Sequence, residues 1–172
     1  VLVSPVFSKA ASAVVSNNLN YEEYYVSLGD SIEIGTSRAF ECVGVIAYLA
    51  GFPEYKVSEN AQMYDSYFNQ YKKKSEVKKA INKFKSLHSS KGLSYDAVAS
   101  LGTYLSSDCH SYRVPKDILL ENIDSRCKND VDDLLKVVSA FYDATNFAQF
   151  YENNKETYAQ LAQNYLKEKD LL

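Results

Sequence analysis

Hydrophobic positions recur with helical spacing from residue 38 onward. Between Arg38 and Ala50 they fall on nearly every angular position (Phe40, Cys42, Val43, Val45, Ile46, Leu49), which predicts a buried central helix with Ile46 and Leu49 almost fully enclosed. Gly51 is placed as the residue just past the helix end, and Pro53 prevents continuation. A second helix is predicted over 59–73, with Ala61, Tyr64, Phe68 and Tyr71 on one face. Ser75 is a candidate cap for a third helix. Its apolar face is Val77, Ala80, Ile81, Phe84 and Leu87, and it ends before Gly92. A fourth is expected over 95–106, with Val98, Leu101 and Leu105 turned inward.

Pro115 suits the first helical position, N1, of a short helix running through Ile123. Asn129 is a candidate cap for the next helix, whose apolar face is Val131, Leu134, Leu135, Val138, Phe141 and Tyr142. The last helix is predicted over 146–169, where Asn146 and Gln149 stand at capping-box spacing. It carries Phe147, Phe150, Tyr151, Tyr158, Leu161 and Tyr165. Ahead of these helices, two β-rich runs (24–28 and 31–34) flank Gly29-Asp30, the pattern of a hairpin with a two-residue turn. Residues 1–20 have no clear period and read as an arm, or as a strand with a short helix. The expectation is therefore a mainly α fold: an orthogonal bundle of six or seven short helices with a small N-terminal β-hairpin. Residues 1–20 form an arm and 21–172 a single helical domain. No fixed period repeats, so a solenoid is not expected.

Composition narrows the function classes. The 172 residues are 46% hydrophobic and 24% charged, the balance of a globular chain, and 19 bases against 22 acids give a net charge of −3. That sum does not point to a nucleic-acid binder. The charge is uneven: residues 71–91 hold eight lysines and one acid, Glu76. Aromatics near this run (Phe68, Tyr71, Phe84) fall on the core face of their helices, so the lysines read as a solvated face. The longest mainly apolar stretch, Cys42 to Phe52, is far shorter than the ~20 residues of a membrane span. The chain begins at Val1 without Met or a basic leader, and an upstream segment is expected to have been removed. Fifteen tyrosines and no tryptophan make rings with polar tips a dominant component.

Candidate chemistry is sparse. Neither His88 nor His110 opens H-E-x-x-H, and His88 reads as a surface residue at a helix end. The six glycines match neither G-x-G-x-x-G nor a P-loop. Asp108-Cys109-His110 with Cys127 is the one grouping of metal-type side chains, but adjacent Cys and His suit a single tetrahedral ion poorly. The same Cys109-His110 pair would need a geometry that adjacency does not supply to act as nucleophile and base. Cysteine usage favours reduced thiols over a Cys109–Cys127 bridge, and Cys42 reads as core. No catalytic, cofactor-binding or metal-ligating residue is assigned.

The order of the motifs carries more than any one of them. Arg38-Ala39-Phe40-Glu41 through Tyr48-Leu49-Ala50-Gly51-Phe52-Pro53-Glu54-Tyr55 is followed by Tyr67-Phe68 with Tyr71-Lys72. Leu93-Ser94-Tyr95-Asp96-Ala97-Val98-Ala99-Ser100-Leu101 comes next, and then Phe141-Tyr142-Asp143-Ala144-Thr145-Asn146-Phe147 ahead of Phe150-Tyr151. Over residues 30–170 this series resembles the N-terminal helical half of a mostly bacterial family of predicted zinc-dependent peptidases, the domain-of-unknown-function family numbered 4932. Cys127, after Asp124-Ser125-Arg126, departs from the family's pattern, which has an aromatic residue there. The resemblance implies a helical region upstream of a catalytic helix bearing H-E-x-x-H, with zinc as the full-length family's cofactor. No such helix occurs through Leu172, so no zinc ligand or catalytic glutamate is carried over.

Two expectations follow. One is a non-catalytic wall of a peptidase substrate cleft, partnered by a C-terminal catalytic region, with a leaning toward a secreted or envelope location. The other is a stand-alone helical module that binds a peptide or protein through a tyrosine-rich surface. Its candidate anchors are Tyr21, Tyr24, Tyr25 and the tyrosines of 64–71.

Overall fold

The computed structural model describes residues 25–27, 33–57 and 60–168, and these are mainly helical. They fall in two compact units, one of residues 38–150 and one of residues 25–27, 33–37 and 151–168. In the larger unit α1 spans Arg38–Ala50, α2 Ala61–Phe68, α3 Ser75–Lys91, α4 Tyr95–Tyr104, α5 Lys116–Asn122 and α6 Val131–Ala144. The boundary between the units falls within α7, Phe147–Asn153. The smaller unit adds α8, Lys155–Glu168, and two short strands, β1 (Tyr25–Ser27) and β2 (Glu33–Gly35). The strands pair antiparallel with Val26 opposite Ile34. The arm 1–20 and the Gly29-Asp30 turn lie outside the described residues.

Helix α1 is the hub of the larger unit and packs on α4, α3 and α6. Cys42, Val43, Val45, Ile46 and Ala47 are fully buried. The helix ends in the wrap that glycine permits. Gly51 has φ 88°, its N–H returns to the Tyr48 carbonyl (2.9 Å), and the Phe52 N–H returns to Ala47 (3.1 Å). Buried Phe52 then closes the end. The α1–α4 crossing is tight at Gly102, where a built Cβ would lie 2.7 Å from the Phe40 Cα. Glycine is therefore required there by space.

Several expectations are corrected. Leu49 is only half-buried, because one stripe of α1 (Phe40, Glu41, Tyr48, Leu49) lies at the edge of the core. Eight α-helices occur among the described residues, not six or seven. The difference arises partly because the single helix expected over 146–169 is broken at Asn154. The Asn154 N–H closes α7 on the Tyr151 carbonyl, and its own carbonyl accepts from Tyr158 in α8. The helix expected over 59–73 gives way after Phe68 to a 3₁₀ turn, Asn69–Tyr71. Ser75 is the first helical residue of α3 and not its cap; Lys74 holds the cap position in extended backbone. Asn129 lies inside a 3₁₀ turn, Ser125–Asp130, and the cap position of α6 belongs to Asp130. The Asp130 carboxylate makes no capping bond because it is taken by Lys83 and Lys91 of α3.

Candidate functional site

An open groove of about 430 Å³ runs along the half-buried edge of α1, lined by Tyr48, Leu49, Gly51, Lys56, Asp65 and Lys72. The elements that shape it follow from local sequence. The left-handed turn at Gly51 sends the chain into the 3₁₀ turn Pro53–Val57, which carries Lys56 to the rim. Tyr55 of the same turn covers Gly44, whose Cβ position lies 3.2 Å from the Tyr55 Cε1. On the α2 side, the Tyr48 hydroxyl donates to the Asp65 carboxylate (2.9 Å), and Lys72 sits 3.5 Å from the same group. Burial, the Asp65 bond and the Asp65 charge together push the Tyr48 phenol above its ordinary range. The rim thus offers one tyrosine, one aspartate and two lysine side chains around the half-buried Leu49 side chain.

Tyr64, Tyr142, Tyr151 and Tyr158 are buried, and Tyr48, Tyr55, Tyr67, Tyr71, Tyr104 and Tyr112 are half-buried. Three of these hydroxyls turn back into the protein: Tyr64 donates to Glu41, Tyr67 to the Thr145 carbonyl (3.0 Å) and Tyr112 to the Val131 carbonyl (2.7 Å). In the smaller unit Tyr151 shares a 2.8 Å bond with Thr36 and stacks on Tyr158. Phe68 is the centre of an aromatic cluster with Phe141, Phe147 and Phe150. Tyr21 and Tyr24 lie outside the described residues, and Tyr25 is described only in its backbone.

The loop between α4 and α5 holds the second group. Leu105 and Tyr112 pair across it, and the Ser111 carbonyl accepts from the Ser106 N–H (2.8 Å). Within this loop Cys109 has φ 61°. Cys109 is fully buried, whereas His110 is 43% exposed and bonds through Nε2 to Asp143 (3.1 Å). That hydrogen bond, opposed by partial burial and aided by the Asp143 and Asp108 charges, raises the imidazole pKa.

Cys127 is placed elsewhere, in the wall of a small apolar void with Phe84, Leu93, Ile123 and Leu134. Its thiol is pushed up to about 11, first by burial and then by Asp124 and Asp130. Burial first, and then neighbouring Cys109, push the Cys42 thiol well above its ordinary range. The two cysteines are far apart in sequence, and the cysteine spacing carried no signal of this. Among the described residues no group of three or more His, Cys, Asp or Glu is disposed to hold a metal ion. His88 is drawn inward and is not a plain surface residue: its ring packs 4.5 Å from Phe52, and Nδ1 lies 2.8 Å from the Leu93 carbonyl.

The lysine run is also partly consumed. Lys83 bonds Asp130 (2.8 Å) and Asp133 (3.3 Å), Lys91 reaches Asp130 and the Arg126 carbonyl, and Lys74 donates to the Ala144 carbonyl (2.7 Å). Among the described residues, no helix is long and apolar enough to cross a membrane. No protein-family model, no curated protein and no solved structure matches the chain.

Proposed function

We propose that the chain is a non-catalytic, peptide-contacting helical module whose ligand lies in the groove beside Tyr48. The observation that carries this reading is the groove's chemistry. Leu49 offers apolar contact, while Tyr48, Asp65, Lys56 and Lys72 supply hydrogen-bonding and charged groups of both kinds. An extended polypeptide needs such a mixture: backbone donors and acceptors to satisfy, with side chains to bury between them. We read the helices of 38–150 as an orthogonal bundle, in which non-parallel helices leave seams of this kind, and the N-terminal strands as a small hairpin.

The resemblance to predicted zinc-dependent peptidases supplies the fuller form of the proposal. There the module is one wall of a substrate cleft, and a C-terminal catalytic region contributes the metal, its activated water and the general base. Without that region the same groove serves a stand-alone peptide-binding protein. The buried and half-buried tyrosines favour a ligand gripped at one groove over one spread across a tyrosine surface.

Titrating the isotopically labelled chain with a tryptic digest of casein, followed by amide chemical shifts, tests the site. Shifts confined to residues 48–56 and 62–72 are expected, weakened in Tyr48→Ala. An unperturbed spectrum at millimolar peptide, or shifts centred elsewhere, overturns the proposal. A parallel casein-cleavage assay with added Zn²⁺ is expected to show no turnover. Chelator-sensitive cleavage by this chain would overturn the non-catalytic reading.

A further inference from the structure

We infer that the ligand of the Tyr48 groove is an acidic polypeptide segment, which lays an apolar side chain on Leu49 and presents glutamate or aspartate side chains to Lys56 and Lys72. The inference rests on the reading of this groove as a peptide site and names the chemistry of the peptide. Its starting point is which lining groups the protein already satisfies. Asp65 is answered from within: its carboxylate accepts from the Tyr48 hydroxyl (2.9 Å) and has the Lys72 Nζ at 3.5 Å. Lys72 makes only that one long contact with its side chain 43% exposed, and a lysine has three donors to place. Lys56 is exposed and has no hydrogen-bonding or ionic partner among the described residues. The groove thus holds one acidic group in use and two basic groups with capacity left. What it lacks is an anion. A basic ligand would have to share Asp65 with Tyr48 and Lys72 while facing two lysines.

The same imbalance continues along the chain from Lys72. Residues 71–91 hold eight lysines and one acid. Some of these lysines are consumed, Lys74 by the Ala144 carbonyl and Lys83 and Lys91 by Asp130. Lys73, Lys78 and Lys85 are exposed and have no such partner among the described residues. A ligand whose negative charge extends past the groove at Lys72 meets this further field, and a neutral ligand gains nothing from it.

A nucleic acid or an anionic membrane is also drawn to lysines, but each needs a second feature beside them. Bases stack on exposed rings. Here Phe68 and Phe84 are buried, and Tyr71 packs on Tyr67 (5.5 Å between centres) under the Lys74 Nζ. Lipid surfaces are held by apolar side chains that insert. Among the described residues the exposed large apolar side chain is Ile118 of α5, outside the lysine run. Half-buried Leu49 beside charged groups suits one apolar side chain of a polypeptide whose neighbours are acidic.

The test uses the full-length chain and three labelled peptides with a central leucine, flanked on both sides by glutamates, by glutamines or by lysines. Binding is read by fluorescence anisotropy. The glutamate peptide should bind on the order of tenfold more tightly than the glutamine peptide, as a few exposed ion pairs allow. The lysine peptide should bind least. Raising salt from ~50 to ~300 mM should remove most of the glutamate advantage, because the screening length shortens. Lys56→Gln and Lys72→Gln should each weaken the glutamate peptide several-fold, leaving the glutamine peptide and the thermal midpoint unchanged. Lys116→Gln, on α5, is the charge-matched control and should bind as the wild type does. Equal binding of the glutamate and glutamine peptides, with amide shifts in 48–56 and 62–72, overturns the acidic ligand and leaves the groove reading standing. Glutamate binding that survives both groove substitutions, or no binding of any of the three, also overturns the inference; the casein digest then decides separately whether the groove reading falls. An oligodeoxynucleotide or a phosphatidylserine vesicle that binds as tightly, and loses as much with Lys56→Gln, overturns it in favour of a phosphate-bearing partner.

Discussion

At the scale of single residues, Ile46 and Leu49 show where hydrophobicity stops being informative. Both lie in the apolar run of α1 and both look like core, yet Ile46 is completely enclosed and Leu49 borders the open groove. What separates them is the cover supplied by other elements, which no pattern within α1 encodes. Ile46→Ala should cost ~2–5 kcal/mol through lost burial plus a cavity, and Leu49→Ala clearly less. Urea denaturation of the two variants checks this, and equal losses would show that the groove edge is closed in solution. Gly102 makes the complementary case. In sequence it is one more small residue in a helix, and exchanging it for alanine should improve helix propensity. The structure reverses the sign, because the new methyl would meet the Phe40 backbone, which cannot swing aside as a side chain tip could. Gly102→Ala should therefore destabilise the chain by ~1–3 kcal/mol, read from the same denaturation midpoint.

Among elements, α3 and α6 were legible as amphipathic helices, but the connection between them was not. The lysines of α3 read as a solvated face. Two of them, Lys83 and Lys91, converge on Asp130 at the start of α6, whose side chain is only 15% exposed. The sequence pointed to Asn129 as the cap, and a cap rule cannot weigh the pull of lysines from another helix. Burial alone would raise the Asp130 pKa, but the bonds from Lys83 and Lys91 outweigh it and hold the carboxyl below its ordinary range. A depressed folded-state value means that this contribution is complete above the unfolded value of ~3.9 and is lost as pH falls through the folded one. Asp130→Asn should cost about 1–2 kcal/mol at neutral pH, after discounting for partial solvent screening. It should also flatten the fall in stability between about pH 5 and pH 2. Denaturation midpoints of both proteins across that range are the measurement, and parallel curves would remove Asp130 from the α3–α6 link. The α7–α8 break was hidden by a different cause. Tyr151 and Tyr158 are seven residues apart, and their stacked rings, 5.1 Å between centres, keep the helical register across Asn154. Periodicity therefore ran straight through a point where the backbone hydrogen bonds change partner.

For the whole molecule, the distribution of the core leads to the last prediction. Nearly every fully buried apolar side chain among the described residues, from Ala39 in α1 to Phe150 in α7, belongs to the 38–150 unit; Tyr151 and Tyr158 are the two in the other. The larger unit has its own central helix, an aromatic cluster around Phe68 and the α3–α6 ion pairs, and about 113 residues is ample for an independent domain. A chain of residues 38–153, cut at the end of α7, should fold alone and unfold in one cooperative thermal transition. With no tryptophan in the sequence, near-ultraviolet circular dichroism of the packed tyrosines is the suitable probe of tertiary order. The far-ultraviolet signal should fall at the same temperature if the transition is two-state. A helical spectrum without a near-ultraviolet signal, or a sloping melt with no midpoint, would mean that the core of 38–150 depends on the remainder of the chain. The division into units was not readable from sequence because its boundary lies inside a helix. Domain limits are sought in polar or proline-rich linkers, and the stretch from Asn146 to Asn154 carries Phe147, Phe150 and Tyr151, all of them buried.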